Sequence, residues 1–344
     1  MIYPRVLGIG TANPPIRLTQ EQSFHAAGYE SVRIRKIFLN SDIEYRHFYF
    51  GGTPNREESS DQLNQRYLSG AMEIGCRAIQ DCVKAAGIAV QDVDFLAVCT
   101  CTGYVCPDVG SRLIAHLGFS SNVQRASMVG LVCAGALPTL QRAVEFVRAN
   151  PSRRALILAV EICSACFFLD NTIETVVGNA ICADGAAAFL LASETKGDGR
   201  YPHIVDFETF IDRSQIEEVG LQHRNGKLRI VLGASIQKLA APMIEAVLDR
   251  LLLRNDLRQP DIRFWVVHPG GRKVIDNVQK HFRMTDAELR YSRTVLRNYG
   301  NMSSPTVMFV LDEVVRNGDP RQGDWGVMIA LGPGMAAEAA LLRW

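Results

Sequence analysis

A chain of 344 residues exceeds what one hydrophobic core usually organises, so two domains or two fused halves are expected. Hydrophobic residues at 47% and charged residues at 21% exclude a disordered or fibrous chain, and a net charge of +1 removes any global attraction to nucleic acid or an anionic membrane. Nine cysteines, odd in number and mostly set in apolar runs, point to reduced thiols, no apolar run reaches the roughly 18–20 residues of a membrane helix, and no secretory signal opens the chain, so a cytoplasmic protein is expected.

Strand-like apolar runs alternate with helix-length amphipathic runs, which predicts an α/β fold with a mostly buried sheet. Near the start, Gly8-Ile9-Gly10-Thr11-Ala12-Asn13 follows a short strand and imitates a dinucleotide-binding fingerprint. Asn13 replaces its third glycine, and Pro14-Pro15 oppose the helix that would receive the pyrophosphate, so that function is set aside. Residues 62–86 predict a helix, with Leu63, Tyr67, Leu68, Met72 and Ile79 at turn spacing. A strand over 95–100, a helix near 111–117, a short apolar strand entering Cys133, a helix over about 137–148 and strands over 155–161 and 186–192 complete the first half. Cys163-Ser164-Ala165-Cys166 has redox or zinc spacing, but no second cysteine pair accompanies it, and structural thiols are expected there. The polar stretch 193–201 is the linker candidate and divides the chain into halves of 1–195 and 196–344.

The second half repeats the order of the first. Asp92-Val93-Asp94-Phe95-Leu96-Ala97-Val98-Cys99 aligns with Asp261-Ile262-Arg263-Phe264-Trp265-Val266-Val267-His268, and Pro138-Thr139 with Pro305-Thr306. A weaker match sets residues 184–191 against 333–340. Such a long period implies two fused similar domains rather than a solenoid. Proline is tolerated in the first turn of a helix, where its missing N–H would be unpaired anyway, so helix starts are expected near residues 135 and 302. Cys133 and Asn301 would then stand at the mouths of equivalent helices, brought together by a pseudo-two-fold axis.

Cys133 lies among small residues before a helix, where a sulfur can be exposed at a tight bend. An ordinary thiol, with a pKa near 8.5, is only a few per cent thiolate at neutral pH. Bringing it near 5.5 takes about 4 kcal/mol, and a helix amino terminus supplies about 0.3–1, reaching about 2 when partly buried. A neighbouring imidazolium is the expected supplement. His268 is the candidate: it ends an apolar strand and precedes Pro269-Gly270-Gly271, although a core histidine bonded to backbone fits the same pattern. Asn301, in Tyr299-Gly300-Asn301-Met302-Ser303-Ser304, equally suits a turn and helix cap.

His268–Gly271 with Ile275-Asp276, Tyr299–Ser304 and Gly332-Pro333-Gly334, in order after one upstream cysteine, resemble the type III polyketide synthases, the chalcone and stilbene synthase family. Within it, Ile37-Phe38-Leu39-Asn40-Ser41, Val129-Gly130-Leu131 and Lys273-Val274-Ile275-Asp276 are similar to the bacterial 3,5-dihydroxyphenylacetyl-CoA synthases. The resemblance implies a thiolase-like fold of two similar halves, with buried mixed sheets in a layered α/β arrangement, and a homodimer. It implies Cys133, His268 and Asn301 as the catalytic set for iterative decarboxylative condensation of malonyl-CoA on a cysteine-bound acyl or malonyl-derived starter, followed by cyclisation. The starter would arrive as an acyl-CoA or on a carrier protein, and no metal, flavin or nicotinamide is required. Arg33, Arg35 and Lys36 match the family's basic stretch for CoA phosphates, with a solvated helix face as the alternative. Cys106 and Cys166 match cavity-shaping positions, the first across the dimer interface, with small buried hydrophobes as the alternative, and Gly271, Gly332, Pro333 and Gly334 belong to the substrate-binding motifs.

The chain departs from the family at three places. The residue before the nucleophile, commonly glycine, is Val132. Cys182 and Ile230 stand where plant chalcone synthases carry phenylalanines guarding the passage between the CoA tunnel and the cavity, so a more open passage and bulkier starters are expected. Two other functions stay open at this point: a single-condensation ketosynthase or acyltransferase acting on carrier-bound chains, and a catalytically inactive scaffold.

Overall fold

The computed structural model describes residues 3–50, 58–170, 172–193, 199–233 and 235–344. The linker expected over 193–201 falls largely on 194–198, outside the described residues.

Nine strands form one sheet, in the spatial order Ile262–Val267, Trp325–Gly332, Ala336–Arg343, His203–Ile211, Arg5–Ala12, Asp184–Ala192, Ala155–Ile162, Phe95–Cys99 and Gln124–Met128. Its two parts repeat one pairing scheme. Phe95–Cys99 runs parallel to Ala155–Ile162, which is antiparallel to Asp184–Ala192, itself antiparallel to Arg5–Ala12. In the second part Ile262–Val267 runs parallel to Trp325–Gly332, then antiparallel pairs lead to Ala336–Arg343 and His203–Ile211. The two parts join edge to edge where Arg5 pairs with His203. Gln124–Met128 extends the first part alone.

Both faces of this sheet are covered, and alternation along the strands shows it. In Ala155–Ile162, Ala155, Ile157 and Ala159 enter the same apolar cluster as Leu140 and Val144 of helix Ala136–Ala149 and Val307, Val310 and Val314 of helix Ser304–Asn317. Val266, Met328 and Leu342 from the other half complete that cluster, so the two helices fill a layer between the half-sheets. Leu156, Leu158 and Val160 point the opposite way, against Tyr67, Ile74 and Ile79 of helix Ser60–Ala86. Trp265, Val267 and Val327 likewise meet Val247 and Leu251 of helix Ile236–Arg254. Period-two burial on both faces produces the layered α/β arrangement of the thiolase type.

Local signals place the ends of these elements. Ser59 accepts from the Gln62 N–H while the Gln62 side chain accepts from Ser59 N–H, a reciprocal cap that starts the long helix. Pro138 lies in the first turn of the helix from Ala136, and Pro305 in that of the helix from Ser304, close to the expected starts. The Gly8–Gly10 segment is a central strand whose glycines serve packing: a Cβ on Gly10 would overlap the Ala78 carbonyl of the long helix.

Two expectations shift. The match of 184–191 to 333–340 is displaced, because Gly334 and Met335 have φ of 71° and 45° and turn the chain, so the equivalent strand begins at Ala336. The strand before Cys133 is Gln124–Met128, after which Gly130 at φ 80° bends the chain. Cys163–Cys166 is a short 3-10 turn beyond the buried strand. Among the described residues, no helix is long and apolar enough to cross a membrane.

Candidate active site

Cys133 occupies the 3-10 turn Val132–Ala134, which runs into helix Ala136–Ala149. The turn is clamped from both sides. A Cβ on Gly135 would overlap the Cys99 sulfur, and one on Gly332 would lie 2.6 Å from the Ala134 Cβ and 2.7 Å from the Leu131 oxygen. Gly332 therefore lets the end of strand Trp325–Gly332 in the second half press on the Cys133 turn in the first.

His268 follows strand Ile262–Val267 and stays in its ladder, its N–H donating to the Ile329 oxygen at 2.8 Å. Both ring nitrogens are buried without a hydrogen-bond partner among the described residues. A buried imidazole with two idle nitrogens matches a site that receives an oxygen or a proton from outside the protein.

Asn301 is tied down on all sides but one. Its N–H donates to the Ile181 oxygen at 2.8 Å and its carbonyl accepts from Ala183 N–H at 2.9 Å, which joins it to the Cys182 segment of the first half. Its Oδ1 accepts from Ser303 N–H at 2.8 Å, and its Nδ2 donates to the Gly270 oxygen at 3.3 Å. With Oδ1 engaged inward, the amide presents its N–H side toward the His268–Gly271 loop.

Cys133, His268 and Asn301 line one cavity of about 480 Å³. Lys36, Asn40, Arg272, Lys273, Gly271 and Leu232 also line it, so three cations stand along its wall. A second cavity, of about 700 Å³, is lined by Val132, Cys101, Thr102, Tyr104, Ala165 and Pro333 among others. Val219 lines both, and the adjacent residues Val132 and Cys133 face one each. Cys133 thus stands where the two cavities approach each other.

Burial pushes the Cys133 thiol up to about 12, opposed by the Ser303 and Asn301 side chains beside it, and pushes His268 down to about 4. A dry site penalises both charges, so burial acts against the expected thiolate–imidazolium pair.

The remaining sequence candidates scatter. Lys36 reaches the smaller cavity, whereas Arg33 is exposed elsewhere and Arg35 pairs with Glu21 at 2.8 Å. Gly271 lines that cavity and precedes helix Arg272–His281; Pro333 lines the larger one, and Gly334 turns the chain behind it. Cys106 is exposed. Cys166 is buried behind the larger cavity, its thiol donating to the Thr102 oxygen at 3.3 Å. Cys182 is buried beside Asn301, with its carbonyl held by Arg46 Nη1 at 2.7 Å. Ile230 packs against Gly178. Neither cavity is lined by Cys182 or Ile230.

Several participants were not anticipated. Arg272 and Lys273 follow directly on the Pro269-Gly270-Gly271 signal, and a basic pair at a helix start was available as a clue. Glu161, the one acid of strand Ala155–Ile162, is fully buried and accepts from Cys101 N–H at 3.0 Å, Thr102 Oγ1 at 2.9 Å and Ser304 Oγ at 2.9 Å. It binds the floor of the larger cavity to the helix after Asn301, and burial raises its carboxyl above the usual range. The hairpin Val219–Arg224 with Lys227–Leu232, which walls both chambers, turns on Asn225-Gly226 at φ 51° and 73°, a recognisable hairpin pair.

Known proteins carry the same architecture. The N-terminal domain of chalcone and stilbene synthases matches residues 5–195, and their C-terminal domain matches 205–344. The 3,5-dihydroxyphenylacetyl-CoA synthase of Amycolatopsis balhimycina is 33% identical over 349 residues, covering 99% of this chain and 93% of that protein. The 1,3,6,8-tetrahydroxynaphthalene synthase of Streptomyces peucetius subsp. caesius is 28% identical over 352 residues, covering 98% and 93%. The crystal structure of PKS-I from the brown alga Ectocarpus siliculosus superposes with a TM-score of 0.93 at 28% identity, covering 100% of this chain and 98% of that one.

Proposed function

This chain belongs to the chalcone and stilbene synthase family, the type III polyketide synthases, and from that premise we propose that Cys133, His268 and Asn301 carry out iterative condensation of malonyl-CoA on a Cys133-bound chain. The observation that carries this reading is the single cavity shared by the three side chains, with the donor side of Asn301 facing the His268 loop.

In the loading step the Cys133 sulfur attacks the thioester carbonyl of the starter while its proton passes to the neutral His268 ring. Collapse of the tetrahedral adduct expels the CoA sulfur, which takes that proton and leaves as the free thiol. Malonyl-CoA then occupies the same cavity with its thioester oxygen toward the Asn301 Nδ2 and the His268 N–H. The bond to the carboxylate breaks, carbon dioxide departs, and the electron pair forms an enolate whose charge gathers on that oxygen. Fixed donors in a water-poor site stabilise this charge more than the ground state, which lowers the barrier. The enolate carbon attacks the acyl carbon, and the Cys133–acyl bond breaks with its electrons returning to sulfur. The chain, longer by two carbons, is now on CoA and can reload. The larger chamber beyond Val132 gives it room to fold and cyclise.

Lys36, Arg272 and Lys273 support delivery as CoA thioesters, since a phosphate-bearing handle at the cavity wall calls for cations. A homodimer is supported by apolar exposure beside the edge strand Gln124–Met128: Tyr104 is 77% and Val129 59% exposed, with Cys106 exposed nearby in sequence. The similarity to 3,5-dihydroxyphenylacetyl-CoA synthase makes malonyl-CoA alone the first substrate to supply.

The test is incubation with malonyl-CoA alone and with a panel of acyl-CoAs, followed by mass spectrometry of the products. Products longer by two or more two-carbon units support the reading, and Cys133→Ala should abolish them all. A product of one condensation only, or elongation that survives Cys133→Ala, would overturn it.

A further inference from the structure

We propose that Val132 is a specificity-determining residue that limits how many two-carbon units the chain acquires. The inference rests on the reading of Cys133 as carrier of the growing chain. Val132 has φ of 43°, in the left-handed region where a β-branched side chain is strained. Its neighbours hold it there. Leu131 and Ala134 are pressed by Gly332, and Gly135 by the Cys99 sulfur, so the turn has no slack with which to relax. Glycine would occupy this backbone without strain, so the valine side chain is retained against a local cost.

Val132 lines the larger cavity, and the next residue, Cys133, lines the smaller one. A chain extending from the sulfur into the larger chamber must pass it. The three carbons of the isopropyl group occupy room comparable to the two carbons and one oxygen of a further ketide unit. Because the turn is clamped, the side chain cannot retreat as the polyketide lengthens, and the last extension that fits is set beside Val132.

The experiment compares the unsubstituted protein with Val132→Gly and Val132→Ala, using malonyl-CoA with and without a short acyl-CoA starter and quantifying products by mass spectrometry. Val132→Gly should shift the distribution of elongated products toward at least one further two-carbon unit, with Val132→Ala intermediate, and Val132→Gly should melt no lower than the unsubstituted protein. If Val132→Gly fails to fold, Val132→Ala carries the same readout. An unchanged distribution in both variants overturns the proposal. So does a variant whose Cys133 is acylated normally, by intact mass, yet forms no elongated product, since the residue would then position the nucleophile instead. Failure of the unsubstituted protein to elongate any starter would overturn the condensation reading itself, whereas elongation with unaltered chain length overturns only the role of Val132.

Discussion

Gly332, at the end of a strand in the second half, approaches Ala134 of the first half so closely that a Cβ on it would stand 2.6 Å from the Ala134 Cβ. This contact joins the two halves one residue from Cys133. Replacing Gly332 by alanine meets backbone and a Cβ rather than a flexible side-chain end, so the turn itself must move. We expect Gly332→Ala to destabilise the protein by about 1–3 kcal/mol and to slow acylation of Cys133 by at least tenfold. Thermal melting and single-turnover acylation would check this; unaltered acylation would show that the turn tolerates displacement.

Burial of Cys133 has a measurable consequence. With the Cys133 thiol raised to about 12 by burial, its thiolate fraction grows about tenfold per pH unit through the alkaline range. Alkylation of Cys133 by iodoacetamide should climb steadily from pH 7 to pH 10. A plateau already reached below pH 7 would instead reveal a preformed thiolate paired with imidazolium.

Burial of His268 also links stability to pH. Its folded pKa, about 4, lies below the ordinary 6.5, so between those values the unfolded chain binds the proton and the folded one does not. Its contribution is therefore intact above pH 6.5 and declines as the pH falls toward 4. Replacing His268 by phenylalanine should flatten this part of the stability profile in denaturant titrations at pH 4.5 and 7.5. A slope identical to that of the unsubstituted protein would mean that other groups account for it.

Asn301 is held through Oδ1 by Ser303, which leaves its amide N–H side toward the His268–Gly271 loop. Asn301→Asp keeps the inward acceptor and removes the donor. Decarboxylation of malonyl-CoA and elongation should fall together by about 10²–10³-fold, the usual cost of losing one oxyanion donor. Acylation of Cys133 should continue. Lost acylation with intact decarboxylation would contradict the assigned role.

Arg272 and Lys273 replaced together by alanine should raise the KM for malonyl-CoA by about three- to tenfold with kcat little changed, and the KM of the unsubstituted protein should rise with salt. Initial rates at two ionic strengths would decide it. A fall in kcat with constant KM would place these cations outside substrate capture.

Local order carried much of the fold and the chemistry in the sequence. Alternating apolar runs announced strands covered on both faces, and Pro138 and Pro305 marked the helices that follow Cys133 and Asn301. Those signals are short-range, because a proline or a two-residue period acts within its own segment. The basic stretch was read less well: Arg33, Arg35 and Lys36 share a helix, yet only Lys36 faces the cavity, since the face a helix presents depends on what packs against it. The hairpin that walls both chambers escaped notice because its half-exposed strands lack a strong apolar alternation, although Asn225-Gly226 marked its turn.

What the linear order determined by itself was Cys133, His268 and Asn301 as candidates and the repeated scheme of strands that presents them. What only the assembled molecule decided was their desolvation, their common cavity and the confinement of Val132. Each of these depends on desolvation or close approach between segments more than a hundred residues apart, and neither quantity exists until the two halves have packed together.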